Sequence, residues 1–118
     1  MCHVLIIEDE PLLAFDLQDM LSTVGATSFA FAETEDQAVS EARLRRPDVI
    51  TSDVMLREGT GPCAVQTILS EMGPLPVIYI TATPDQCEPC EPSSAILAKP
   101  VLGMVVRDAF RAVAPHSD

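Results

Sequence analysis

Short segments that are apolar at every position, rather than at alternate ones, constrain this chain more than any other feature. Val4-Leu5-Ile6-Ile7 and Val77 to Ile80 are of this kind, and Thr27 to Ala32, Val49-Ile50-Thr51-Ser52 and Ala95 to Ala98 are comparably short and bounded by turn or charged residues. A strand that is apolar throughout is buried on both faces, as parallel strands are when helices cover both sides of their sheet.

Helical patterns fall between these segments. After Pro11, the residues Leu13, Leu17, Met20, Leu21 and Val24 recur at the spacing of one buried face. Pro11 suits a first turn, and Gly25 suits a stop. Thr34-x-x-Gln37 has the form of a capping box for a second helix, which buries Ala38 and Ala42 and ends before Pro47. A third helix has Pro62 near its start and Ala64, Val65, Ile68, Leu69 and Met72 inward. The last follows Pro100, with Leu102, Val105, Val106, Ala109, Phe110 and Val113 on one stripe. Alternating strands and helices with short, right-handed connections predict an α/β fold, a doubly wound parallel sheet with helices on both faces. The stretch from Thr83 to Ser94, TPDQCEPCEPSS, holds three prolines and no apolar periodicity. A loop or one short turn is expected there in place of a full helix.

The 118 residues match one compact domain. Only a short polar tail follows the last helix, so a single domain over 1–118 without an output domain is expected. Eighteen acidic residues against seven basic ones give a formal charge of -11, which repels nucleic acids and anionic membranes. No apolar run approaches the roughly 18 residues of a membrane-spanning helix, and nothing at the start has the form of a signal peptide, so a soluble cytoplasmic protein is expected.

In an open parallel sheet, ligands bind at the carboxyl ends of the strands. Those ends carry Glu8-Asp9-Glu10, then Asp53, then Thr81, then Lys99-Pro100. Crowded carboxylates disfavour one another's ionisation unless a cation is near, and oxygen-only ligands suit a hard ion such as magnesium. A carboxylate is also a competent nucleophile toward phosphorus, where a divalent ion, an ammonium and a hydroxyl supply positioning and charge stabilisation.

With VLIIEDEP, PDVITSDVML, PVIYITA and ILAKPV in this order, the chain resembles the receiver domain of bacterial two-component response regulators over essentially its whole length. That resemblance implies a flavodoxin-like five-stranded sheet of order 2-1-3-4-5. It implies Asp53 as phosphoacceptor, with Asp9 and Asp53 binding Mg2+ directly, Glu8 chiefly through water and the Met55 backbone carbonyl completing the protein ligands. Lys99 would pair with the phosphoryl oxygens, Thr81 would move its hydroxyl onto one of them, and Ala82 would leave space beside the group. The Lys99-Pro100 bond matches a position that is cis in the family. Glu8 replaces the commoner Asp while keeping its charge. The implied partners are a sensor histidine kinase or phosphotransfer protein and a downstream protein, with a homodimer through the last helix and neighbouring strand also plausible. Beyond its own phosphotransfer and dephosphorylation no enzymatic activity is implied, and the absent output domain is consistent with a phosphate sink.

Several positions depart from that pattern. Ile96 stands where the family usually has the aromatic residue whose rotamer reports phosphorylation, and isoleucine is stiff with no ring to bury. Tyr79 is a candidate substitute for that ring, although a core position is the favoured expectation for it. The favoured relay is an order-disorder change over Thr83 to Ser94. The run DVMLREGTG lacks the commoner proline after leucine and resembles receivers of alphaproteobacterial stress-response circuits. Arg57 is expected to pair with Glu58 in solvent, and Glu10 to lie on the surface.

Two other readings stay open on the same fold: an interaction module independent of phosphorylation, and a redox sensor at Cys87-x-x-Cys90. Glu88 and Glu91 oppose a low thiol pKa there. Cys2 on the first strand and Cys63 at a helix start lie too far off for one four-cysteine site. A flavin carrier is disfavoured because the first strand-helix turn is acidic.

Overall fold

A computed structural model describes residues 1–82, 84 and 95–114. Its elements in chain order are β1 (His3–Ile7), α1 (Pro11–Ser22), β2 (Ser28–Ala32), α2 (Glu35–Leu44), β3 (Val49–Ser52), α3 (Gly61–Met72), β4 (Val77–Thr81), β5 (Ala95–Ala98) and α4 (Gly103–Val113). The five strands form one sheet of order β2-β1-β3-β4-β5, and every pairing is parallel. The flavodoxin-like, doubly wound architecture is therefore as expected. The loop or short turn expected over Thr83 to Ser94, with Cys87 and Cys90, lies outside the described residues apart from Pro84.

Strand alternation divides the core in two. Leu5, Ile7, Ile50, Val77 and Tyr79 pack against Ala38 and Ala42 of α2 and Ala64, Val65 and Ile68 of α3. Val4, Ile6, Val49, Ile78 and Ile80 pack on the other face against Ala14, Leu17 and Leu21 of α1 and Val106 and Phe110 of α4. Ala38 and Ala42 of α2 and Phe110 of α4 are all fully buried, so small side chains fill one face of the sheet where a large ring fills part of the other.

The helix ends follow local chemistry. The Gln37 N–H donates to Thr34 Oγ1 at 3.2 Å, and Gln37 Oε1 accepts from the Glu33 N–H at 2.8 Å, a capping box whose return bond lands one residue early. Thr60 caps α3 by accepting from the Cys63 N–H, and Gly73 closes that helix at φ 84°, where a side chain would be strained.

Some boundaries and faces differ from expectation. β2 begins at Ser28 because Thr27 turns its hydroxyl to the Cys2 N–H at 2.9 Å. β4 runs through Thr81, which pairs with Ala98. On α4, Leu102 and Val105 are exposed rather than buried. Leu102 is the extended N-cap, outside the helical repeat, and Val105 lies about 100° around the helix from the buried Val106. Leu13 and Met20 on α1, Val24 just beyond it, and Leu69 and Met72 on α3 border the core and are only partly buried.

Thr51 is a local conflict in an otherwise consistent core. Its register neighbours are Ile6 and Ile78, and its buried hydroxyl has no hydrogen-bond partner among the described residues. An unsatisfied buried hydroxyl carries its full desolvation penalty. Thr51→Val is expected to raise stability by about 1 kcal/mol in urea titrations, whereas Phe110→Ala should lower it by about 3–5 kcal/mol through the cavity it leaves.

Candidate functional site

The residue after each of β1, β3 and β5 continues the sheet's hydrogen-bond ladder and is thereby held at the sheet's carboxyl edge. The Glu8 N–H donates to the Ala32 carbonyl at 2.9 Å, the Asp53 N–H to the Ile7 carbonyl at 2.9 Å, and the Lys99 N–H to the Thr81 carbonyl at 2.8 Å. Parallel register carries these three side chains to one edge of the sheet although they lie far apart in sequence.

Their side chains meet. Lys99 Nζ donates to Glu8 Oε1 at 3.0 Å and to Asp53 Oδ2 at 2.9 Å. The other Asp53 oxygen, Oδ1, accepts from the Val54 N–H at 2.7 Å, and Glu8 Oε2 accepts from the Glu10 N–H at 3.3 Å. Carboxylate oxygens of Glu8, Asp9 and Asp53 all lie within 4.8 Å of one another. The Glu8 side chain is 2% exposed, Asp53 11% and Lys99 16%, so one ammonium faces a pocket of three carboxyl groups largely out of water.

Burial drives Glu8 up to about 7, against the opposing hydrogen bond from Lys99 and with help from the Asp53 charge. Burial acts against the Lys99 ammonium, but hydrogen bonds to Asp53 and Glu8 outweigh it and hold the lysine above its ordinary value. The all-oxygen set of Glu8, Asp9 and Asp53 fits a hard divalent cation, which would offset the burial and the Asp53 charge that raise Glu8.

Thr81 is buried as the last residue of β4, directly beside Ala98 and so next to Lys99 along the edge. Met55 lies two residues beyond Asp53 in the β3–α3 loop, where an isolated antiparallel bridge pairs it with Thr60; its side chain is exposed. Glu10 is exposed at the rim, with Oε1 4.0 Å from Lys99 Nζ. Arg57 pairs with Glu33 at 3.1 Å and not with Glu58, because the end of β2 lies beside this loop and offers a carboxylate across the turn. Ala82 and Ile96 are exposed, and Tyr79 is buried in the core. The Lys99-Pro100 peptide is cis.

Two supporting residues were missed from sequence. Ser52 Oγ donates to the Asp53 carbonyl at 2.8 Å. Gly61 is buried against that same carbonyl and against Ser52 Oγ, so any Cβ there would collide with the backbone of the phosphoacceptor candidate. A glycine directly before the Pro62 that opens α3 was the available signal, since a helix start does not itself require glycine.

Comparison with known proteins agrees with this geometry. The family model for the response regulator receiver domain matches residues 4–91. The phyllosphere-induced regulator PhyR of Methylorubrum extorquens is 37% identical over 85 residues, covering 71% of this chain and 32% of that protein. The probable transcriptional regulatory protein TcrX of Mycobacterium tuberculosis is 35% identical over 79 residues, 67% of this chain and 33% of that one. The chain thus spans about a third of the length of these curated relatives. Among solved structures, the PhyR receiver domain of Erythrobacter litoralis superposes with a TM-score of 0.82 at 30% identity, covering 99% of this chain and 96% of that one. PhyR of Brucella abortus gives 0.83 at 30% identity, covering 96% and 47%. These PhyR matches accord with the likeness to alphaproteobacterial stress-response receivers read in DVMLREGTG. The chain belongs to the response regulator receiver domain family, the signalling domains of two-component systems.

Proposed function

We propose that this receiver is a phosphorylatable switch in which Asp53 accepts a phosphoryl group from a sensor histidine kinase or a phosphotransfer protein. The observation that carries this reading is the Lys99 ammonium shared between Asp53 Oδ2 and Glu8 within a cluster of three carboxyl groups.

Asp53 Oδ1 is held by the Val54 N–H and Oδ2 by the Lys99 ammonium, and Oδ2 becomes the attacking atom once Lys99 shifts toward the incoming phosphoryl group. A bond forms between Oδ2 and phosphorus as the phosphorus–nitrogen bond to the donor histidine breaks, and the departing imidazole recovers its proton from solvent. In that shift Lys99 exchanges its contact with Oδ2 for the phosphoryl oxygens, as a compact cation suited to phosphate. Thr81 supplies its hydroxyl to one of those oxygens, and exposed Ala82 leaves room for the group. Glu8, Asp9, Asp53 and the Met55 backbone carbonyl would hold magnesium, which when bound offsets the charge of the carboxylates and the transferring phosphoryl group. Residues 1–118 act as one receiver unit, in the cytoplasm, with a protein as the downstream target. One solved PhyR relative is described as an anti-anti-sigma factor, and an anti-sigma factor as the downstream target fits this reading.

Incubation with acetyl phosphate and magnesium, followed by intact-mass analysis, should add one phosphoryl group to the wild type and none to Asp53→Asn. An adduct that forms equally without a divalent cation, or that survives in Asp53→Asn, contradicts the assignment; no adduct even with a cognate kinase favours a module that works without phosphorylation.

Protonation of Glu8 makes a second prediction. Its folded-state value is raised, so without a divalent cation the stability it contributes is fully present below about 4.5 and is lost as pH rises through about 7. Thermal unfolding in chelator should therefore show wild type losing stability across that window more steeply than Glu8→Gln. At pH 8 the variant should be the more stable by roughly 1–2 kcal/mol, a fraction of the shift at 1.36 kcal/mol per unit. Added magnesium should stabilise wild type at pH 8 and do much less for Glu8→Gln.

A further inference from the structure

We infer that Glu35, the first residue of α2, is a positioning residue that clamps the β3–α3 loop and so sets the Met55 carbonyl and Asp53 for the cation; the inference rests on the phosphoacceptor reading above. Glu35 lies outside the carboxylate cluster and has no role in the chemistry just described.

The contacts converge on one turn. The Glu35 N–H donates to the Glu58 carbonyl at 3.1 Å, and Glu35 Oε1 accepts from the Thr60 N–H at 3.3 Å. The side chain lies flat on Gly59, whose φ of 81° and absent Cβ permit that approach. One residue thus engages three consecutive positions of the loop from both its main chain and its side chain. A second tie, Arg57 to Glu33 at 3.1 Å, joins the same loop to the end of β2. The site is wired to this turn without a gap. Thr60 bridges to Met55, the Leu56 N–H reaches the Gly59 carbonyl at 3.4 Å, and the Gly61 N–H donates to the Val54 carbonyl at 2.9 Å. Gly61 in turn abuts the Asp53 carbonyl.

The turn has little else to hold it. Arg57, Glu58 and Gly59 are exposed, and the loop contributes only Val54 and Leu56 to the core. A backbone carbonyl is a useful ligand only when its direction is fixed, because a hard cation of small radius demands near-ideal geometry. A tether outside the ligand set is a common way to fix it, and removing such a tether weakens metal binding about 10–100-fold in well-studied sites. Glu35 also occupies the first turn of α2, where an acidic side chain suits the exposed N–H groups of the helix start.

The test compares wild type, Glu35→Ala and Glu35→Gln by calorimetric titration with magnesium and by amide hydrogen exchange in chelator. Glutamine keeps the acceptor oxygen and alanine does not. Glu35→Ala should bind magnesium about tenfold more weakly, with faster exchange at Thr60 and Leu56 and unchanged exchange in β1 and β4. Glu35→Gln should restore both readouts to near wild type. Equal magnesium affinity in wild type and Glu35→Ala overturns the inference, as does a Glu35→Gln protein that behaves like Glu35→Ala. Wild type that binds no magnesium would refute the site reading instead, and the exchange comparison in chelator would still show whether Glu35 holds the loop.

Discussion

Burial of β1, β3 and β4 on both faces is the constraint from which the site follows. Side chains within these strands meet helices on either side, so strongly polar groups are admitted where the strands end. Parallel pairing then places all the carboxyl ends on one edge, and ladder hydrogen bonds from the Glu8, Asp53 and Lys99 amides hold the first residue beyond β1, β3 and β5 in place. The pocket is a consequence of the sheet's construction, with no element dedicated to it alone.

Such a gathering is electrostatically unfavourable, and the protein compensates internally. Lys99 serves two carboxylates at once, and burial, with a smaller push from the Asp53 charge, raises Glu8 to about 7. The arrangement resembles a site that has been left short of positive charge by the sheet that built it. Any positively charged arrival, or any transfer that draws Lys99 away from Asp53, changes the balance at Glu8 and Asp53 together. The β3–α3 loop is held close to the same cluster, with Gly61 against the Asp53 carbonyl and Glu35 accepting from the Thr60 N–H.

Ile96 marks where this receiver differs from the commoner pattern. It is half-exposed on β5, on an edge strand whose residues alternate between partly buried and exposed. A β-branched side chain there has few rotamers to exchange. Nearby in sequence, Leu102, Met104 and Val105 at the start of α4 are exposed aliphatic side chains as well.

The sequence by itself determined the architecture, because wholly apolar segments alternating with amphipathic ones have few other packings, and it marked Glu8, Asp9, Asp53, Thr81 and Lys99 because strand ends are where such a sheet keeps its chemistry. Helix caps at Thr34 and Thr60 are local hydrogen bonds and were equally legible at Thr34. Tertiary structure alone decided what depends on two distant segments meeting: the shared Lys99 contact, the Arg57 pairing with Glu33, the exposure of Leu102 and Val105, the collision reserved at Gly61 and the grip of Glu35 on Gly59 and Thr60. None of these has a periodicity or a motif, since each is set by how far one loop is carried toward another when the sheet twists and the helices settle on it.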